Sequence, residues 1–377
     1  MLIGSIIKPQ IASHIQLYYK RTNFTESIIS KCPSLKGRFL PTCWLFNGML
    51  HVIFEGTLGD IPGESIFCPE VLYTKEQVFL PDGGLMSIDW ANLPQSQSSI
   101  SKILIIGPGI TGNSDSQYVR VIVIEAIKKN YTVAVLHGRG IANNELLTFK
   151  VHCACAFDDY AYIIDHIHSK HPKANLVGVG TSMGAGILLK YAVLTGENCK
   201  LKALAAVATP FYHAHAAKNA ENFWPYFGLP GKFILNILRR ISKTFQPQLE
   251  KWPEELKRCG IDFSDIGKSK SYYDFDDKFT AKISGFKGAE EYYNEASSIN
   301  QLYKVKIPVL ALSSLDDPVI SAEVIPYKEF CENEKLILMT TNNGGHVGWF
   351  TGNFMPKRWF QVPCVEYLEA VLTTQEN

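Results

Sequence analysis

The chain lacks the features that mark nucleic-acid binders, membrane spans and disulfide scaffolds. Its charge has no dominant sign: 37 Lys and Arg oppose 36 Asp and Glu. No block of like charges breaks that balance, so no basic footprint points to nucleic acid as a partner. No apolar run approaches the roughly 18 residues of a membrane-spanning helix. The short apolar start, Met1 to Ile7, is stopped by Lys8, Pro9 and Gln10, and it has neither the charged beginning nor the cleavage site of a signal peptide. The nine cysteines are odd in number and unpatterned; Cys153 and Cys155, one residue apart, fit neither zinc nor redox spacings. Reduced, mostly buried thiols are expected, in a cytoplasmic or peripherally membrane-associated protein with no metal and no cofactor.

What is present describes a globular α/β chain. Hydrophobic residues make up 46% and charged residues 19%, enough to build a sizeable core within 377 residues. Residues 1–70 read as an irregular extension packing on the core, because Pro33, Pro41, Pro62 and Pro69 break any long element. Val71 to Trp90 reads as a hairpin around Pro81-Asp82-Gly83-Gly84, whose Asp-Gly pair supplies the positive φ of a tight turn.

Short apolar runs then alternate with helical stretches. Strands are predicted at Ile103–Ile106, Val133–Leu136, Asn175–Val179 and Ala203–Ala208, with helices near 116–129, 157–170 and after Ser182. Continuous apolar strands separated by helices indicate a mostly parallel sheet covered on both faces. The alternation stops at Phe211 and resumes with strands at Ile307–Leu312 and Lys335–Met339 and a last helix near 362–372. The expected organisation is a core of 71–210 and 304–377, with a helical lid, 211–303, inserted before the last two strands.

Gly180-Thr181-Ser182-Met183-Gly184 follows a predicted strand and opens a predicted helix. This is the context of a nucleophile elbow, in which a sharp turn lifts the serine hydroxyl above an α/β-hydrolase sheet. The Met183 amide, at the helix start, is placed to hold the oxygen of a tetrahedral intermediate. Chain order in this fold is serine, acid, histidine. After Ser182 only His213, His215 and His346 remain; the first two sit at the entrance to the insertion. His346 follows the last predicted strand in a loop made pliable by Gly344, Gly345 and Gly348, and is the expected base. The acid should end the preceding strand, at Ser313-Ser314-Leu315-Asp316-Asp317-Pro318. Both aspartates are candidates; Asp317 is preferred for its place beside the proline, and Asp316 stays open as the alternative, either one serving as a turn-former. The loop Gly107-Pro108-Gly109-Ile110-Thr111-Gly112 fits the second oxyanion donor, with the Ile110 amide expected because Pro108 has no N–H. It lacks the Gly-Lys-Ser/Thr ending of a phosphate loop.

Several stretches in order resemble the family-4 branch of the α/β-hydrolase superfamily, whose members include membrane-associated phospholipases, monoacylglycerol lipases, carboxylesterases and alcohol acyltransferases. They are Cys32-Pro33-Ser34-Leu35, Pro41 to Gly48, Leu80 to Gly84 with Asp89-Trp90, Gly109 to Gly112 with Tyr118-Val119-Arg120, and Tyr272 to Asp277 leading to Glu291-Tyr292-Tyr293 and Ala296-Ser297-Ser298. The resemblance runs from about Cys32 to the C-terminus and implies the same triad, Ser182, Asp317 and His346. The chain departs from the family at Pro108, where relatives usually have His, and at His137 before Gly138, where they usually have Asn. It also lacks the His-x4-Asp pattern attributed to acyltransferase activity, which makes hydrolysis the expected reaction, and the N-terminal anchor of many relatives.

Phe223, Trp224, Tyr226, Phe227, Phe233, Ile234, Ile237, Leu238 and Ile241, interspersed with Lys232, Arg239, Arg240 and Lys243, form the apolar part of the expected lid. Such a helix can rest on a lipid surface or pack its stripe over the sheet. The expectation is therefore a serine esterase acting on a lipid or other ester, with peripheral membrane contact through the lid. An O-acyltransferase and a non-catalytic α/β-hydrolase-like receptor are the competing classes.

Overall fold

Ile103, Leu104, Ile105 and Ile106 are fully buried, yet they belong to two separate cores. Ile103 and Ile105 join one hydrophobic cluster and Leu104 and Ile106 the other. Alternate residues of a strand face opposite sides of a sheet, so an uninterrupted apolar strand requires cover on both. A computed structural model of the protein supplies it; the structure describes residues 13–58, 68–94, 100–222, 228–353 and 355–375.

The sheet has nine strands: β1 (Gln16–Tyr19), β2 (Thr74–Phe79), β3 (Leu85–Ala91), β4 (Lys102–Gly107), β5 (Thr132–His137), β6 (Asn175–Thr181), β7 (Leu201–Val207), β8 (Val309–Ser314) and β9 (Leu336–Thr341). Their spatial order is β1-β9-β8-β7-β6-β4-β5-β3-β2. Strands β4 to β9 pair in parallel. The β2–β3 hairpin adds antiparallel at one edge and β1 at the other. The hairpin turns as its sequence requires, with Gly83 at φ 82°.

Four helices complete this framework: α3 (Gln117–Ile127), α4 (Phe157–Lys170), α5 (Met183–Thr195) and, at the C-terminal end, α9 (Gln361–Gln375). On one face α4 and α5 pack through Tyr160, Ile163, Ile187 and Leu188. On the other, α3 and α9 pack through Ile122, Val123, Tyr367 and Leu368. Between β7 and β8 the chain forms only helices among the described residues, including α6 (His213–Asn222), α7 (Leu229–Leu249) and α8 (Ala289–Ala296). Their apolar stripe is turned inward: Leu235, Leu238, Phe245 and Leu249 build a third cluster with Phe275 and Phe279. Phe223, Trp224, Tyr226 and Phe227 lie outside the described residues, as do the apolar start and Pro62.

The expectation of an irregular N-terminal extension is corrected. Residues 23–30 form α1 (Asn23–Ser30), begun by a reciprocal cap between Thr22 and Thr25, and residues 48–58 form α2 (Gly48–Leu58). Strand β1 completes the sheet, with Tyr18 opposite Leu338. Pro33 and Pro41 fall between these elements rather than inside them: Pro33 opens a short helix and Pro41 follows an extended pair. No described helix is long and apolar enough to cross a membrane.

Candidate active site

Strand β6 ends at Thr181 and α5 begins at Met183, so Ser182 alone makes the turn. Its backbone lies at φ 50° and ψ −121°, a region that residues with side chains rarely occupy and that is held only where the surroundings over-determine it. Here they do. A Cβ on Gly180 would stand 2.4 Å from Ala185 Cα, and one on Gly184 would stand 2.1 Å from the Gly107 carbonyl oxygen. The Ser182 amide donates to the Val207 carbonyl at 2.8 Å. Strand, turn and helix are thus locked against the ends of β4 and β7.

His346 arrives from the loop after β9. Its Nε2 lies 2.8 Å from Ser182 Oγ, and its Nδ1 lies 2.9 Å from Asp317 Oδ2. Asp317 is buried, and its Oδ1 accepts from the amides of Val319 and Ile320 at 2.8 and 3.0 Å. Those bonds fix the carboxylate and leave Oδ2 to the imidazole.

Asp316 does different work. It accepts from Ser314 Oγ at 2.6 Å, the Gly345 amide at 3.0 Å and Asn343 Nδ2 at 3.2 Å. It therefore ties the end of β8 to the loop that carries His346. Burial raises its pKa above the ordinary carboxylate value, against the pull of those donors. The residues that follow His346 are strained as well: Val347 and Trp349 have φ of 65° and 44°.

The loop after β4 passes over the serine, with Gly109 close enough that a Cβ there would be 3.5 Å from Ser182 Cβ. The Gly109 amide is already donated to Tyr118 Oη at 2.9 Å. Pro108 has no N–H, so Ile110 carries the next available amide in that loop. Met183 stands at the first position of α5, where an amide has no acceptor within its own helix. Ile110 and Met183, from different elements, line the same cavity as Ser182.

The serine and imidazole open into a cavity of about 470 Å³. Phe233, Ile234, Ile237, Leu238 and Ile241 of α7 line it, with Tyr272 and Phe275 from the rest of the insertion. His213 also reaches it, buried and with its pKa lowered to about 4 by that burial, but His213 and His215 have no hydrogen bond to Ser182 among the described residues. No His, Cys, Asp and Glu grouping suited to a metal occurs among the described residues.

Among the lining residues not singled out individually in the sequence are Tyr118, Glu55 and Arg358. Tyr118 lies within a stretch that carried the family resemblance. Glu55 and Arg358 carry no motif, and the helix bearing Glu55 was hidden by its apolar, non-periodic sequence, Gly48-Met49-Leu50-His51-Val52-Ile53-Phe54.

Residues 127–335, more than half of the chain, match the hydrolase family described as serine aminopeptidase, S33. The chain is 30% identical over 329 residues to Protein abhd-3.2 of Caenorhabditis elegans, covering 87% of this chain and 83% of that protein. It is 27% identical over 346 residues to Phospholipase ABHD3 of Homo sapiens, covering 91% and 81% of the two chains. To Monoacylglycerol lipase ABHD2 of Homo sapiens it is 24% identical over 376 residues, covering 96% and 86%. Among solved structures, 2,6-dihydroxy-pseudo-oxynicotine hydrolase shares the fold at TM-score 0.51 and 12% identity, covering 88% of this chain and 77% of that one. The chain belongs to the S33 family of α/β hydrolases, and is similar to the group that includes ABHD3 and ABHD2.

Proposed function

We propose that Ser182, His346 and Asp317 form a catalytic triad that cleaves lipid esters, monoacylglycerol or phospholipid, through an acyl-enzyme. The observation that carries this reading is the unbroken relay from Ser182 Oγ through the imidazole to Asp317, at 2.8 and 2.9 Å. His346 Nε2 takes the serine proton as Oγ attacks the ester carbonyl. The amides of Met183 and Ile110 receive the developing oxyanion. The imidazolium then gives its proton to the departing alcohol. Water, deprotonated by the same nitrogen, attacks the acyl carbonyl, releases the fatty acid and restores the serine. Asp317 holds the tautomer in which Nε2 can accept and offsets the charge of the imidazolium.

The apolar lining favours a lipid acyl chain, and relatives named phospholipase and monoacylglycerol lipase agree with it. The helices of 211–303 act as a lid in this reading. Leu229, Lys232, Phe233 and Arg240 are exposed on α7 and offer a mixed apolar and basic surface for peripheral membrane contact.

Ser182→Ala should lower kcat by about 10⁵- to 10⁶-fold while leaving the fold intact, and labelling by a fluorophosphonate probe should vanish with it. Esterase activity retained by the folded variant would reject the assignment. Peptide amides assayed beside esters separate this reading from the peptidase that the family's description names.

A further inference from the structure

Where α7 faces the cavity its lining is apolar apart from Arg240, but the wall beside His346 carries a charge pair. Arg358, fully buried, donates through Nη2 to Glu55 Oε2. The same guanidinium donates through Nη1 to the Val347 carbonyl at 3.2 Å and lies 4.6 Å from the centre of the Phe350 ring. Glu55, 25% exposed, shares the cavity with Ser182 and His346. Tyr118, which anchors Gly109 beside the serine, feels both charges.

The helix bearing Glu55 is pressed onto the loop that carries His346. His51 Nδ1 accepts from the Phe350 amide at 3.4 Å, and a Cβ on Gly345 would stand 2.5 Å from the Gly48 carbonyl oxygen. Burial lowers the His51 pKa to about 4, which keeps the ring neutral and able to accept. Helix α2 therefore walls the cavity on the side of the base.

Chemistry decides what lies against that wall. The imidazole must hand a proton to the departing alcohol, so the alcohol half of the ester sits on the side of His346 and the acyl chain elsewhere. A buried guanidinium–carboxylate pair is a poor source of stability, since apolar replacements of similar volume are often neutral or better. A carboxylate at the edge of an apolar cavity does suit a polar alcohol. One oxygen of Glu55 holds Arg358, and the other remains as an acceptor. Arg358 has its two Nη groups engaged by Glu55 and Val347, so a phosphate would have to displace them.

We propose that Glu55 and Arg358 are the specificity-determining pair for the alcohol half of the substrate. Glu55 accepts a hydrogen bond from a free hydroxyl of a glyceryl-type ester, and Arg358 positions both Glu55 and the Val347 carbonyl. This rests on the catalytic reading above, with His346 as the base.

The test compares kcat/KM for three esters of one acyl chain, the glyceryl ester, the methyl ester and a phosphatidylcholine, in the wild-type protein and Glu55→Gln, with fluorophosphonate labelling followed in parallel. A charge-assisted hydrogen bond should be lost, so the glyceryl ester should fall about 10-fold, mostly in KM. The methyl ester and the labelling rate should stay within about twofold of wild type. An equal fall for all three esters together with slower labelling would make the pair a structural brace and overturn the proposal. So would an unchanged glyceryl ester, or a fall confined to phosphatidylcholine. Should Glu55→Gln fail to fold, Glu55→Asp withdraws the carboxylate by one methylene and is judged on the same ratio. If the wild-type protein were not labelled at all, the catalytic reading itself would have failed, a result distinct from each of these.

Discussion

On the floor of the cavity, strand and helix meet backbone to backbone: Gly184 sits so close to β4 that a Cβ would stand 2.1 Å from Gly107 O and 2.3 Å from Pro108 O. Under the roof, the helices of the insertion are held by side chains instead, Leu235, Leu238 and Phe245 against Phe275 and Phe279. Backbone contacts of the first kind have no slack, because neither partner can change rotamer. Side-chain contacts can relax, and a deletion there is shared among neighbours. The comparison predicts unequal responses to one added or several removed carbons. Gly184→Ala should cost about 3 kcal/mol or more of stability, enough to leave little folded protein. Ile237→Ala, on the half-buried side of α7, should cost about 1 kcal/mol and alter acyl-length preference more than folding. Urea unfolding of both variants checks this; equal losses would erase the distinction between floor and roof.

The two neighbouring aspartates sharpen the same contrast within the floor. Asp317 touches the imidazole, whereas Asp316 ties Ser314 to the loop that brings it. Asp317→Asn presents an amide to Nδ1 and favours the wrong tautomer, so kcat should fall about 10⁴-fold with KM little changed. Asp316→Asn keeps the imidazole's partner but weakens the bonds to Ser314 and Gly345. A fall of about 10-fold is expected, from less frequent alignment of His346. Steady-state kinetics at saturating substrate separates them, and an Asp316 variant as damaged as the Asp317 variant would reverse the assignment.

The floor was largely legible in the sequence, and the reason is local. An elbow needs small residues at fixed offsets, and the parallel strands advertise themselves as apolar runs long enough to be buried on both faces. Gly180, Ser182 and Gly184 therefore announced both the turn and its flanking elements, and His346 and the aspartate pair followed from chain order. Asp317 is preferred over Asp316 in the sequence only for its place beside the proline; what pins its carboxylate, the amides of Val319 and Ile320, has no local signature. The N-terminal segment was misread because its elements owe their form to tertiary contact. Strand β1 is short and takes its register from β9, and the mostly apolar sequence of α2 has little periodicity to betray it. Glu55 and Arg358 meet across 303 residues of sequence, so no local pattern could join them.

The roof, too, carries a titrating group inside its packing. Asp276 is buried on the cavity side of the insertion, and its carboxylate accepts from Tyr293 Oη at 2.9 Å. Among the described residues no lysine, arginine or histidine is ion-paired with it. Burial raises its pKa from 3.8 to about 7, more than the hydrogen bonds from Thr280 and Tyr293 lower it. The native protein then keeps this proton over a range in which the unfolded chain, with an ordinary carboxyl, has already lost it. Unfolding releases a proton there, so stability should fall as pH rises from about 4 towards about 7 and stay level above that. Asp276→Asn removes the titration but keeps a group that can accept from Tyr293. Its melting temperature, compared with wild type at a series of pH values, should improve relative to wild type across that window and run parallel above it. Parallel curves throughout would mean that the carboxyl is ionised in the native protein at all these pH values, and that burial does not hold its proton.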